Sequence, residues 1–216
     1  MKKLALILLS LSFLTGCTNI NNLNLEEVVN NNLSSKQKLS NQYRSGYKYY
    51  LPRGLSVVNQ SDYNEKLNND RYTYYLYVDV ISYFNKVEVD YEPKDDVYYS
   101  KTLNSNGLKG YIEIKETVEK DNKYLVEIMY NYAKIEVIVK QRDLNSTIAN
   151  SLTILNSIQY NDNIIDNMMK DNKLQYKETE MNIFKTKETT SNYINYEEMY
   201  GQYDDSNDIH DSDLIE

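Results

Sequence analysis

The fold is indicated most clearly by residues Tyr111–Ile158, which read YIEIKETVEKDNKYLVEIMYNYAKIEVIVKQRDLNSTIANSLTILNSI. Residues 111–117, 124–130 and 134–139 alternate apolar and polar side chains, which is typical of antiparallel strands with one face in the core and one in water. Beyond them the apolar residues recur every three or four positions, the period of a helix that Asp143 is placed to cap. The members of that helical stripe are Leu144, Ile148, Leu152, Leu155 and Ile158.

The predicted helix has to bury its apolar stripe, and the open face of the strands is the available partner. We therefore expect an α+β fold: a curved antiparallel β-meander with a C-terminal helix packed on one face. Upstream strands are expected over residues 71–83, 87–91 and 98–103. A hairpin is expected over 46–59, around the turn residues Pro52-Arg53-Gly54.

Both ends of the chain differ in composition from this central region. Residues 18–42 are rich in Asn, Ser and Gln, which predicts a flexible N-terminal tether within 17–45, with one or two helical turns near 25–33. The α+β domain is expected over 46–160, followed in 161–216 by a short helix near 163–173. Residues 197–216 contain eight acidic residues and no Lys or Arg, which predicts a disordered acidic C-terminal tail.

Residues 1–16 have the pattern of a secretory signal peptide. Lys2 and Lys3 precede an apolar run over 4–14, which is too short to cross a bilayer because a spanning helix needs roughly 20 residues. The run ends in Leu14-Thr15-Gly16-Cys17, which resembles the lipobox of bacterial lipoproteins.

That resemblance implies a diacylglycerol group on the Cys17 thiol and cleavage between Gly16 and Cys17. The mature protein would then be held by its lipid on the outer face of the cell membrane. Two acyl chains suffice for stable anchoring. The alternative, an ordinary core cysteine after an apolar helix, is disfavoured because Cys17 is the only cysteine and stands where the motif requires it.

The predicted domain also resembles, loosely, the small sheet-plus-helix modules of the PsbP/Mog1 type. The resemblance spans about 46–160 and depends on the order of the elements, the phrase Tyr50-Leu51-Pro52 and the closing Asn156-Ser157-Ile158. Members of that family have assembly and binding roles. The resemblance therefore implies a binding module and assigns no catalytic residue.

The sequence offers few groups for catalysis or metal binding. His210, the single histidine, lies in the acidic tail, and no phosphate-binding glycine motif occurs. The tail segment 204–215 fails the EF-hand pattern, because Ile209 and Ile215 replace the required Gly and Glu. We expect no cofactor and no metal site. The sequence has no basic field that would indicate a nucleic-acid partner or direct adsorption to anionic lipid headgroups. Six carboxylates cluster in the first half of the chain: Asp79, Glu88, Asp90, Glu92, Asp95 and Asp96. Of these, Glu88, Asp90 and Glu92 alternate with apolar residues, which is typical of a solvated strand face.

The 23 tyrosines are the one compositional feature that suggests binding. Tyr75 and Tyr77 fall on the predicted outer face of the 71–83 strand, where their rings could form a shallow platform for a peptide or a sugar. Codon bias and β-propensity are the competing explanation of the tyrosine excess.

Taken together, these features favour a membrane-anchored, non-catalytic binding or assembly factor for an envelope protein or glycan. Two alternatives remain. One is a carboxylate-based hydrolase of cell-wall polymers, which needs two facing carboxylates in a cleft. The other is an accessory solute-binding lipoprotein, although such proteins usually have two lobes and more residues.

Overall fold

The computed structural model describes residues 20–35, 39–61, 63–117 and 122–170. Within these residues the strands are β1 (Gln42–Arg44), β2 (Tyr47–Tyr49), β3 (Ser56–Ser61), β4 (Asn64–Asn68), β5 (Thr73–Val78), β6 (Tyr99–Ser105), β7 (Leu108–Glu116), β8 (Lys123–Tyr130), β9 (Ala133–Lys140) and β10 (Gln159–Tyr160). The α-helices are α1 (Leu25–Ser34), α2 (Val80–Phe84), α3 (Leu144–Ser157) and α4 (Asp162–Lys170). Single 3₁₀ turns occupy Ile20–Asn22 and Gln141–Asp143. No helix in the described ranges has the length and apolarity needed to cross a bilayer.

Seven strands form one antiparallel sheet in the order β3-β4-β5-β9-β8-β7-β6. Two meanders, β3-β4-β5 and β6-β7-β8-β9, are joined where β5 pairs with β9. Helix α3 packs on one face of the central strands β8 and β9. The predicted α+β class, with an antiparallel sheet and a C-terminal helix on one face, is confirmed.

The core lies between α3 and the sheet face that α3 covers, here called the apolar face. All members of the predicted helical stripe are buried, and Ile148, Leu152 and Leu155 are fully so. Opposite them lie alternate residues of the central strands: Ile112, Ile114, Val126, Ile128, Ile135 and Val137. Asp143 precedes α3 but makes no capping hydrogen bond, because its carboxylate instead accepts from Tyr72 Oη at 2.7 Å and Arg71 at 3.3 Å.

The hairpin expected over 46–59 does not form. β2 pairs with β1 and β10 in a separate three-stranded sheet, whereas β3 pairs with β4. The physical reason is Glu65 on β4, which accepts hydrogen bonds from the buried hydroxyl groups of Tyr47 and Tyr49. These contacts hold β2 over the apolar face of the main sheet.

The helical turns expected near 25–33 form α1, but this helix is packed against the domain and is not part of a flexible tether. Asn24 and Glu27 form a capping box at the start of α1, and Val28 and Val29 are fully buried against the domain, where α1 contacts α3. Asn156 of α3 also donates to the carbonyl of Asn32 at 3.2 Å. The folded unit therefore begins well before residue 46. It extends at the other end through α4, whose Ile165 is fully buried.

Two of the expected strands differ in the structure. The strand expected over 71–83 ends at Val78, because Asp79 accepts a hydrogen bond from the backbone N–H of Ser82 and starts α2. Residues 87–91, expected to form a strand, contribute only an isolated bridge at Asp90. They belong to the connection between α2 and β6, which crosses the sheet face opposite α3.

Candidate functional site

The sheet face opposite α3, here called the polar face, carries a row of three glutamates. Glu113 on β7 lies directly opposite Glu127 on β8, and Glu127 lies directly opposite Glu136 on β9. Like charges in such cross-strand positions repel each other and destabilise a sheet. Each of the three carboxylates therefore requires compensating groups, and these groups differ from one glutamate to the next.

Glu113 is compensated by two ammonium groups. Its carboxylate lies 2.6 Å from Lys115 Nζ and 3.2 Å from Lys94 Nζ, and it accepts a hydrogen bond of 2.8 Å from Tyr91 Oη. Burial alone would raise the pKa of the Glu113 carboxyl, but hydrogen bonds from Lys115, Tyr91 and Lys94 outweigh it and hold that pKa below its usual range. Glu113 is therefore ionised at neutral pH.

Glu136 is compensated by a lysine on its own strand. Lys134 Nζ lies 2.6 Å from Glu136 Oε1, and the two side chains are only 8% and 2% exposed. Residues two apart on a strand share a face, so the pair is built entirely within β9. A buried pair of this kind tolerates the loss of neither partner, because the remaining charge would stay buried alone.

Glu127, in the middle of the row, accepts a hydrogen bond from the hydroxyl group of Tyr111. The Tyr111 ring stacks on Tyr91, with centroids 4.2 Å apart and planes 7° apart. Burial and the nearby carboxylates raise the pKa of both tyrosines. The two phenols therefore stay protonated and act as hydrogen-bond donors at physiological pH.

The predicted platform tyrosines lie on this same face, beside the glutamate row. Tyr75 is directly opposite Glu136 and Lys66, and Tyr77 is directly opposite Lys134. Tyr77 is only 2% exposed, whereas Tyr75 is half-buried and has Lys66 Nζ 5.7 Å from its ring centroid. Of the two rings, that of Tyr75 offers the surface a ligand could touch.

The other residues singled out from the sequence do not gather into a site. Asp79 is buried as the cap of α2, and the other five acidic residues of that group, from Glu88 to Asp96, are exposed along the connection between α2 and β6. Cys17, His210 and the acidic tail lie outside the described residues. Across the ranges that the structure describes, no group of three or more potential ligand residues could hold a metal ion.

The apolar-polar alternation predicts that Glu113, Lys134 and Glu136 face water, but all three are buried. One feature of the sequence, the two-residue connection between β8 and β9, could have indicated which glutamates of the row lie opposite each other. The Asn131–Tyr132 pair, with positive φ angles of 53° and 58°, forms a two-residue turn that sets Tyr130 opposite Ala133 and hence Glu127 opposite Glu136. The covering connection, whose Tyr91 stacks on Tyr111, carried no comparable signal.

No protein-family model matches this chain, and no curated protein is significantly similar to it in sequence.

Proposed function

We propose that this protein is a lipid-anchored, extracytoplasmic binding module that holds an envelope component against its polar face. The Leu14-Thr15-Gly16-Cys17 motif supports the anchor. One observation supports a non-catalytic role: the carboxylates on the polar face are paired with lysines and phenols of the same face.

Proton-transfer catalysis needs a group whose pKa lies near the working pH. The pKa of Glu113 is held below its usual range, and the pKa values of Tyr91 and Tyr111 are raised by burial and neighbouring carboxylates. These groups keep one protonation state throughout the physiological range. Such a face is suited to hydrogen bonding and ring contacts with a partner.

The partner that fits this surface is an extended peptide or a glycan of the envelope. Beside the half-exposed ring of Tyr75 lie charged side chains, and farther along β8 and β9 the half-buried Leu125 and Ile138 lie directly opposite each other. An aromatic ring combined with a small apolar strip among polar groups is typical of surfaces that bind peptide side chains or the faces of sugar rings.

The anchor is tested by metabolic labelling with palmitate in a bacterium that expresses the full chain. We expect the label on the protein and its loss in Cys17→Ser, accompanied by release of the protein from the membrane fraction. Equal labelling of the two chains, or retention of Cys17→Ser in the membrane, would contradict the proposed anchor.

The binding face is tested with the photo-crosslinking residue p-benzoylphenylalanine in place of Tyr75, using intact cells. The matched control places it at Tyr43, an exposed tyrosine of β1 in the small sheet. We expect a crosslinked product from position 75 that is absent from position 43. Muramidase digestion then separates a glycan product, whose mass falls, from a protein product. The absence of a product at 75, or equal products at both positions, would overturn the assignment of this face.

The hydrolase alternative has its own test. Incubation of the purified protein with isolated cell walls should release no soluble fragments. Release that is lost in Glu127→Gln, the central member of the glutamate row, would replace the binding role with catalysis.

A further inference from the structure

Very little chain separates the proposed lipid site from the folded domain. Ile20, three residues after Cys17, is the first residue of a 3₁₀ turn. Its carbonyl oxygen accepts a hydrogen bond of 2.9 Å from Asn145 Nδ2. The same amide donates to Leu23 at 2.7 Å, and both Ile20 and Leu23 pack against the core. Since an extended chain spans at most about 3.6 Å per residue, the three residues from Cys17 to Ile20 span at most about 11 Å of chain.

This docking point identifies one end of the domain. Asn145 lies in the first turn of α3, directly after the end of β9. At that end Lys140, the last residue of β9, lies opposite Lys123, the first residue of β8. Arg71, from the β4–β5 connection, reaches Asp143 there. We call this region, formed by residues 69–72, the start of β8 and residues 140–145, the basal end.

The opposite end of the strands, here called the distal end, holds the β8–β9 turn together with α2 and α4. Tyr83 of α2 donates a hydrogen bond of 2.7 Å to Asp162 of α4 and contacts Tyr132 edge-on at 5.6 Å. The last described residue, Lys170, ends α4. The chain therefore enters at the basal end and continues toward its acidic tail from α4.

Although the sequence as a whole shows no basic field, the fold brings exposed cationic side chains together at the basal end, where they suit an anionic surface. Arg71 and Arg142 have side chains 63% and 72% exposed, and both lie 3.3 Å from the single carboxylate of Asp143. Lys123 and Lys140 are directly opposite each other at the same end of β8 and β9. Among the described residues, the carboxylates of this end are Asp70 and Asp143, with Glu116 at the adjoining end of β7 and the exposed Asp95 and Asp96 just before Tyr98. Asp143 is shared by the two guanidinium groups and by Tyr72.

We propose that the basal end rests directly on the bilayer, with Arg71, Lys140 and Arg142 against the phosphates of anionic lipid headgroups. This inference depends on the proposed lipid at Cys17, which would keep Ile20, and through it the start of α3, close to the membrane surface. Charges interact with that surface over about one Debye length, roughly 8 Å at physiological salt. In this orientation the polar face does not rest on the membrane. The distal end, with α4, points toward the rest of the envelope.

The orientation is tested on vesicles, whether or not cells lipidate Cys17. The chain from Cys17 to Glu216, which retains every described residue, is coupled through its only thiol to a maleimide lipid. A donor dye is attached to azidophenylalanine in place of Tyr98, near the basal end, or of Phe84, at the distal end. Both are exposed aromatic residues, and Tyr98 contacts Tyr124 and Gln141.

We expect energy transfer to an acceptor dye on the lipid headgroups to be at least twofold more efficient from position 98 than from position 84. Equal efficiencies would mean that the domain tumbles freely on a tether, and they would overturn the orientation. Because the coupling is chemical, that outcome is distinct from a failure of the proposed anchor, which the palmitate label reports.

The headgroup contact is tested by varying lipid charge. We expect transfer from position 98 to rise when phosphatidylglycerol replaces part of the phosphatidylcholine, and the rise to disappear in Lys140→Gln with Arg142→Gln. The matched control, Lys109→Gln with Lys170→Gln, removes two exposed lysines located away from the basal end. No response to lipid charge, or an equal response of both double variants, would overturn the contact with anionic headgroups.

Discussion

The side chain of Glu65 on β4 contacts three residues of the small three-stranded sheet. Its carboxylate is fully buried and accepts four hydrogen bonds: two from the Arg44 guanidinium, at 3.0 and 2.6 Å, and one each from Tyr47 and Tyr49, at 3.0 and 2.7 Å. Two-point pairing of this kind is among the stronger charge-assisted contacts. The single residue on β4 thus fastens the small sheet to the large one.

We expect Glu65→Gln to destabilise the protein by about 3–5 kcal/mol, because it leaves the Arg44 charge without its buried partner. Urea denaturation followed by circular dichroism measures the change. The control is Glu26→Gln, which breaks the surface pair with Lys101 and should leave the midpoint unaltered. Similar midpoints for Glu65→Gln and the wild type would show that the cluster does not join the sheets.

Glu113 should make the stability sensitive to acid. Because its pKa is lower in the folded than in the unfolded chain, its contribution is complete above the ordinary value of 4.5 and is lost as the pH falls through the folded value. The urea midpoint of the wild type should therefore decrease more steeply below pH 4.5 than that of Glu113→Gln. Parallel curves for the two proteins would contradict this role.

Helix α1 shows why a polar segment need not be a tether. Its composition is dominated by Asn and Glu, but Val28, Val29 and Leu33 share one face and are buried. The neighbouring α3 supplies amide donors at Asn145 and Asn156 that satisfy carbonyl groups before and along α1. Three apolar residues and a capping box are sufficient because a partner surface is present.

Val28→Ala combined with Val29→Ala should lower the free energy of unfolding by about 2–4 kcal/mol, since each truncation removes buried methyl groups and leaves a cavity. Guanidinium denaturation provides the measurement. Asn31→Ala, at an exposed position of the same helix, should change stability by less than about 0.5 kcal/mol. A flexible tether would instead give no change for either variant.

At the scale of the whole molecule, β8 and β9 are central. They carry α3 on one face and the glutamate row on the other, whereas β3 lies at an edge and has exposed side chains at Val58, Asn59 and Gln60. Strands that pair on both sides and bury side chains on both faces open only with global unfolding.

Hydrogen–deuterium exchange should therefore be slowest in the amides of β8 and β9 and fastest, among the strands of the main sheet, in β3. Mass spectrometry of peptic fragments gives the comparison. Exchange of β8 and β9 that is as fast as that of β3 would be inconsistent with a single cooperative sheet.

The periodicity of apolar residues was sufficient to predict β7, β8, β9 and α3, because each alternation or helical stripe is visible within one short segment of the chain. The helix predicted after Arg142 and its buried stripe are confirmed. The α+β class followed from those elements alone. The pattern at Leu14–Cys17 likewise predicts an anchor without any tertiary information.

What covers the polar face, and how the two sheets meet, could be learned only from the folded chain. Burial of Lys134 and Glu136, the position of β2 beside β10, and the packing of α1 all depend on contacts between residues far apart in the chain. A strand pattern records which residues share a face, but not what lies above it. For that reason Tyr75 and Tyr77 could be assigned to one face from the sequence, whereas only the fold shows that Tyr77 is buried and Tyr75 reaches the surface.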